Sequence, residues 1–356
     1  MGEAVQCLQR AVEHKASDIF FGVGRCISFK IDGIITKQSE TPVKIDEVEN
    51  MMSELYGLAR RPMTNYLEKG DDDFSVSIPG LARFRISAYQ QRGTKAAIIR
   101  VVFFSLPDYR ELHIIEEVMS IASLRHGLAL VTGSAGSGKT TTLACIIDTI
   151  NKTRNGHIIT LEDPIEYLHR DNKSLISQRE VSTDTESYIT ALRACMRQAP
   201  DIILIGELRD HETIRTAMTA AETGHLVIST LHTVGASNTI DRIIDVFPPN
   251  QQQQIRVQLS MVLQVVVSQQ LLPSKTGGLV PAFEIMRQNN AIRNLIRESK
   301  IHQIDSAIQT SKADGMMSMD SYIYSLYQQN KITIETAIDF SLEAQQMEKR
   351  LSSMRN

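Results

Sequence analysis

Apolar residues recur at helical spacing over residues 1–16, at Val5, Leu8, Ala11 and Val12, and predict an amphipathic opening helix. Ser17-Asp18 then opens the apolar run IFFGVG, and a second run from Ile27 to Ile35 contains Asp32-Gly33, a dipeptide suited to a tight hairpin turn. Residues 44–59 return to helical spacing. A further strand pair is expected at 81–90 (LARFRISAYQ) and 95–104 (KAAIIRVVFF), joined by a turn around Arg92-Gly93. Helix, strands, helix and strands make a small α+β domain, residues 1–104. Residues 105–112 (SLPDYREL) read as a linker.

From residue 113 the pattern changes to helices alternating with short, wholly apolar strands, the pattern of a parallel α/β sheet. Leu128 to Thr132 (LALVT), His157 to Leu161 (HIITL), Asp201 to Gly206 (DIILIG) and the run after His225 (LVISTLHT) are the strands. Helices are expected at 141–150, 185–199 and 210–222, the last with Asp210 as N-cap and Thr223-Gly224 as its end. After residue 250 the chain reads as helical. Gln251 to Gln254 is an exposed polar turn, Gly277-Gly278 a loop, and 291–310, 317–328 and 333–349 three helices. The second domain is thus residues 113–356, with a C-terminal helical region from about 285.

The chemistry centres on Gly133-Ser134-Ala135-Gly136-Ser137-Gly138-Lys139-Thr140, which fits the phosphate-loop pattern G-x-x-x-x-G-K-[ST] between a strand and a helix. The glycines let successive N–H groups of the loop, through Thr141, turn toward one phosphate, and the helix N-terminus adds donors and partial positive charge. Lys139 is suited to the β- and γ-phosphates of ATP, and the Thr140 hydroxyl to Mg2+. Two acidic clusters end apolar strands downstream: Glu162-Asp163-Pro164-Ile165-Glu166, and Glu207 after Gly206. Carboxylates there can handle a metal ion or an attacking water, although each alone could merely close a strand. His225 and His232 flank the next strand and could sense a γ-phosphate; their spacing is not that of a metal site. Arg83, Arg85, Arg92 and Arg100 cluster on the early strand pair, either as a solvated face or as guanidinium forks for a phosphate on a neighbouring subunit.

Composition narrows the class. The 356 residues suffice for about two domains, and a net charge of −3 gives no basic field, which argues against a nucleic-acid partner. No run approaches the ~18 apolar residues of a membrane span, and the N-terminus lacks a signal pattern. The cysteines, Cys7, Cys26, Cys145 and Cys195, are scattered without C-x-x-C spacing, which speaks against a zinc ribbon and fits a reducing cytoplasm.

Four blocks together resemble the secretion-ATPase superfamily of type IV pilus, type II and type IV secretion systems, over essentially the whole chain. They are the phosphate loop, ITLEDPIE (159–166) as its Asp box, IILIGELRD (202–210) as its atypical Walker B, and TAAETGHLVISTLHT (219–233) as its His box. Within it, Ala291–Glu298 (AIRNLIRE) is similar to the C-terminal signature of pilus retraction ATPases, and there is neither room for the extra N-terminal domain of assembly ATPases nor their four-cysteine zinc module. The N-terminal S-D-L-H-L pattern of the family is replaced by Ser17-Asp18-Ile19-Phe20-Phe21.

The resemblance implies a PAS-like N-terminal domain, a RecA-like P-loop ATPase domain and a homohexamer. It implies cytoplasmic ATP hydrolysis, peripheral to the inner membrane through a pilus platform protein and acting indirectly on pilin. It carries Glu166 over as general base, supported by Glu162 and Asp163, with Glu207 on Mg2+ or water, and His225 and His232 coupling phosphate to domain motion. Arg83, Arg85 and Arg100 would act in trans, with Arg193, Arg197 and Arg209 as further candidates. The alternatives are an assembly, type II secretion or competence ATPase, a nucleic-acid translocase, and a non-hydrolysing accessory ring.

Overall fold

The structure, a computed structural model, describes residues 2–31, 33–102 and 106–353. Asp32 of the expected hairpin, residues 103–104 of the expected strand, Ser105 of the linker and the last three residues of the tail lie outside the described residues. The chain divides into two compact units, Met1–Ser105 with Glu166–Leu168, and Leu106–Ile165 with His169–Asn356.

The first unit runs α1 (Glu3–Glu13), β1 (Asp18–Gly22), β2 (Ser28–Ile31), β3 (Ile34–Lys37), α2 (Ile45–Leu58), α3 (Thr64–Lys69), β4 (Asp71–Ile78), β5 (Ala82–Gln91) and β6 (Thr94–Val102). Its six strands form one antiparallel sheet in the order β3-β2-β1-β6-β5-β4. Alternation along β5 buries Ala82, Phe84, Ile86 and Ala88, which share a core with Leu8 and Ala11 of α1 and Met52 and Leu55 of α2. Arg83 and Arg85 therefore stand on the opposite face. Arg92 and Gly93 join β5 to β6 with φ of 50° and 73°, the paired positive values of a tight hairpin whose twist suits the strands. Strand β4 escapes the sequence pattern because its first three residues are aspartates.

The second unit opens with α4 (Glu116–Met119), β7 (Gly127–Thr132), α5 (Lys139–Thr153), β8 (His157–Glu162), β9 (Leu175–Glu180), α6 (Tyr188–Cys195) and β10 (Ile202–Ile205). It continues with α7 (His211–Glu222), β11 (Leu226–Leu231), α8 (Ala236–Asp245), α9 (Pro249–Val262), β12 (Leu263–Pro273) and β13 (Leu279–Arg287). Five short helices finish it: α10 (Asn290–Arg297), α11 (Ile304–Thr310), α12 (Met319–Gln328), α13 (Ile334–Asp339) and α14 (Ala344–Ser352). Seven strands form one sheet, β13-β12-β7-β11-β10-β8-β9, parallel except for the β12–β13 pair. β7, β10 and β11 are buried at every residue, as a parallel sheet covered on both faces requires. One face packs on α6, α7, α8 and α9, and the other on α5 and α12.

The wholly helical reading after residue 250 is overturned. Residues 263–273 and 279–287 are the antiparallel hairpin β12–β13, and Gly277-Gly278 is its turn, with φ of 94° and 75°. The run Val265-Val266-Val267 is β-branched and prefers the pleated sheet, where β12 lies beside the buried β7. Gln251 to Gln254 lies within α9 rather than in a turn, because Pro249 starts the helix before it. The expected helix 291–310 breaks after Arg297, with Ser299 at φ 61°, and 333–349 breaks between α13 and α14.

Candidate functional site

β7 delivers the chain to the phosphate loop, and α5 leaves it at Lys139. Gly133, Gly136 and Gly138 have φ of 142°, 77° and 86°, values that glycine adopts without strain. Gly133 is also a close approach: a Cβ there would lie 2.2 Å from the Gln269 carbonyl oxygen and 2.7 Å from Ser137 Oγ. Ser134, Ala135, Gly136 and Thr140 are exposed, and Thr141 is half-buried. Ser137 is buried, and neither its hydroxyl nor that of Thr132 has a hydrogen-bond partner. Buried hydroxyls without partners beside an exposed glycine-rich turn at a helix N-terminus fit a phosphate group.

Lys139 is buried, and its Nζ donates to the carbonyls of Gly133 and Ser134, both at 2.8 Å. Burial holds this ammonium below the ordinary lysine value, with the Glu207 charge opposing the shift. His232 Nδ1 lies 3.5 Å from Lys139 Nζ, and His232 Nε2 lies 3.4 Å from Glu207 Oε2. An ammonium can only donate, so Nδ1 is the accepting nitrogen and Nε2 carries the proton toward the carboxylate. The other Glu207 oxygen pairs with Arg209. Lys139, His232, Glu207 and Arg209 thus form one chain of polar contacts at the C-terminal edge of the sheet. Thr230 of β11 holds the Glu207 segment, its hydroxyl donating to Gly206 O at 2.6 Å and its carbonyl accepting from Leu208 N at 3.1 Å.

Gly206 has a packing reason: a Cβ there would meet Tyr188 Oη at 2.6 Å. Burial pushes the Tyr188 hydroxyl well above its usual value, with Asp163 and Glu207 adding to the shift. Sequence reasoning missed Tyr188, because only the fold carries the start of α6 to this edge. Glu162 is buried at the end of β8, accepting from Thr160 Oγ1 at 2.6 Å and Gln178 Nε2 at 3.1 Å. Asp163 is exposed. Glu166 is exposed too and belongs to the segment Glu166–Leu168 that groups with the first unit.

The two histidines separate. His225 precedes β11, its carbonyl accepting from Gly127 N at 3.0 Å and its Nδ1 lying 2.9 Å from Ala220 O. At about 3.3 Å per residue it stands about 20 Å from His232, at the opposite edge of the sheet. Of the two, it is His232 that lies beside Lys139 and Glu207. The reason is geometric, since the ends of one parallel strand face opposite edges of the sheet.

Several of the arginines have partners in their own units. Arg85 lies opposite Arg100, which lies opposite Asp18, and Arg100 Nε donates to Asp18 Oδ1 at 3.0 Å. Arg83 donates to Ser77 Oγ at 3.2 Å, while the Arg100 side chain remains 63% exposed. Two adjacent guanidinium groups with one carboxylate leave a net positive row on this face. In the second unit Arg193 pairs with Glu212, and Arg197 donates to the Arg193 carbonyl at 3.2 Å.

The chain is 42% identical over 336 residues to the type IV pilus retraction ATPase PilT of Pseudomonas aeruginosa, covering 94% of this chain and 97% of that one. It is 44% identical to a twitching motility protein of Neisseria gonorrhoeae, covering 86% of this chain and 82% of that one. Its fold matches a crystal structure of the pilus retraction motor PilT with bound ADP at a TM-score of 0.89 and 42% identity, over 98% of this chain and 99% of that one. The family described as Type II/IV secretion system protein matches residues 4–351, both units included, and it is to this family that the chain belongs.

Proposed function

We propose that the protein is an ATPase motor that drives type IV pilus retraction, withdrawing pilin from the fibre and powering twitching motility. The observation that carries this reading is the match over nearly the whole chain to a retraction ATPase whose solved counterpart holds ADP. Among the described residues no helix is long and apolar enough to cross a membrane, which is compatible with work from the cytoplasmic side on an inner-membrane platform protein.

In this reading the loop from Ser134 through Thr141 cradles the phosphates of ATP, with Lys139 neutralising charge. Mg2+, held by Thr140 and Glu207, would supply Lewis-acid neutralisation of the phosphate oxygens. Hydrolysis asks the protein for positioning and electrostatics more than for covalent chemistry. Glu166 serves as general base with Glu162 and Asp163 in support. Glu207, oriented by Arg209 and His232, handles metal or water. His232 lies within reach of both Lys139 and Glu207, so a change in the charge held at the loop alters what its imidazole bonds to. Arg83, Arg85 and Arg100 complete a neighbour's site in a homohexamer, with residues 1–104 and 113–356 closing about the linker 105–112.

The test is Lys139→Ala in a piliated host. Excess surface pili with loss of twitching is the expected result. Bald cells would make the protein an assembly or secretion ATPase instead, and unchanged piliation would refute a motor role at the pilus.

A further inference from the structure

Two pieces of the site hang from one strand. β12 runs beside β7 with Ser268 opposite Thr132, so Gln269 falls beside the phosphate loop, where β7 has ended. Gln269 is 2% exposed, and its Oε1 accepts from Thr142 Oγ1 of α5 at 2.7 Å. Its carbonyl oxygen borders the space that Gly133 leaves open, and its Nε2 would lie 2.9 Å from a Cβ on Gly138. One side chain and its own carbonyl thus touch both ends of the loop and the first turn of the helix that leaves it.

One residue earlier the strand serves its other face, since successive side chains alternate. Ser268 Oγ accepts from Gly235 N at 2.9 Å. Glu284, directly across on β13, accepts from Ala236 N at 2.8 Å through Oε1. These bonds hold the turn 233–236 that follows His232. Gly235 sits at φ 88° and ψ 147°, a region open essentially to glycine, so the turn depends on anchors to keep its shape. Burial raises the Glu284 carboxyl above its ordinary range, against the pull of the Ala236 N–H.

We propose that Ser268, Gln269 and Glu284 are positioning residues with divided duties: Gln269 fixes the phosphate loop and so sets nucleotide affinity, while Ser268 and Glu284 fix the turn behind His232 and so set turnover. The proposal rests on ATP hydrolysis at this loop and assigns its supports. A loop whose N–H groups are displaced binds phosphate less tightly. A displaced imidazole leaves binding intact but loosens the Lys139–His232–Glu207 contacts.

The test uses the purified full chain, with MgADP titration, steady-state ATP hydrolysis and thermal melting for each variant. Gln269→Leu is expected to weaken MgADP binding about tenfold, the scale of one buried hydrogen bond, with kcat at saturating ATP within about threefold. Thr142→Val should reproduce that effect, and the double variant should add little to it. Ser268→Ala and Glu284→Ala should lower kcat about tenfold with MgADP affinity within about twofold. Glu284→Gln, which keeps an acceptor for Ala236, should restore kcat. Should Glu284→Ala not fold, Ser268→Ala carries the turnover arm. Affinity and kcat falling together in every variant, in step with melting temperature, would overturn the division of duties. An active wild type with unmoved variants overturns this proposal alone. A wild type that neither binds MgADP nor hydrolyses ATP overturns the nucleotide reading and this proposal with it.

Discussion

Two alanine substitutions in the phosphate loop should behave very differently. At Gly133 a new Cβ would sit 2.2 Å from a backbone oxygen of β12, so the loop or the strand must give by about 1 Å to reach ordinary contact. Overpacking of this kind costs about 1–3 kcal/mol, and the φ of 142° adds about 1–3 kcal/mol of backbone strain for a residue with a side chain. The sum is about 2–6 kcal/mol. At Gly136 the Cβ would meet nothing within 4 Å, and only the left-handed φ of 77° opposes it, at about 1–2 kcal/mol. For a unit of this size each kcal/mol moves Tm by about 2–4 °C. Gly133→Ala should therefore melt roughly 4–24 °C below wild type and Gly136→Ala about 2–8 °C below. Calorimetry on the full chain, following the transition of the second unit, is the assay. Equal shifts, or a larger loss at Gly136, would refute the argument that the β12 carbonyl excludes a side chain at Gly133.

Two further outcomes follow from the same geometry. Cys7 lies on the buried face of α1, and burial pushes its thiol up to about 11 from 9.0, with Arg10 opposing. The folded chain therefore keeps a proton that the unfolded chain releases, so stability is full below pH 9 and falls by about 3 kcal/mol as pH rises to about 11. The urea midpoint should fall less between pH 8 and pH 11 for Cys7→Ala than for the wild type, and an equal fall in both would contradict the burial argument. Glu207→Gln removes the charge that pairs with Arg209 and that would face Mg2+, and should lower kcat about 10²–10⁴-fold and weaken MgADP binding as well. Unchanged turnover in steady-state assays would remove Glu207 from the chemistry.

What the sequence discloses here is what is local. The phosphate loop, the Asp210 cap of α7 with its bonds from Glu212 N and Thr213 N, and the Arg92-Gly93 turn are each set by a few adjacent residues. The partnership of His232 with Lys139 and Glu207 was legible only as three motifs of one family; their contact depends on β7, β11 and β10 being neighbours. His225 and His232 look equivalent in a linear reading because strand polarity is invisible there. Gln269, Ser268, Glu284 and Tyr188 carried no signal, since each matters only through an element that the sheet order brings alongside. The hairpin that bears three of them was hidden inside an apolar stretch that a helix could equally bury.

The register of β12 has a consequence for how this chain tolerates change in length. Ser268 and Gln269 serve opposite faces, so gaining or losing one residue between Val265, where the β12–β7 pairing resumes after the irregularity that follows Leu263, and these two positions would turn each to the other side. An insertion would bring Ser268 to the loop and Val267 to the His232 turn, and a deletion would bring Gln270 to the loop and Gln269 to the turn. Beyond Pro273 the constraint ends, because the connection around Gly277-Gly278 is an exposed turn. Insertions and deletions are thus expected to be tolerated between residues 274 and 278 and excluded from residues 265–269, a boundary that a scan of single-codon insertions through the hairpin would draw directly.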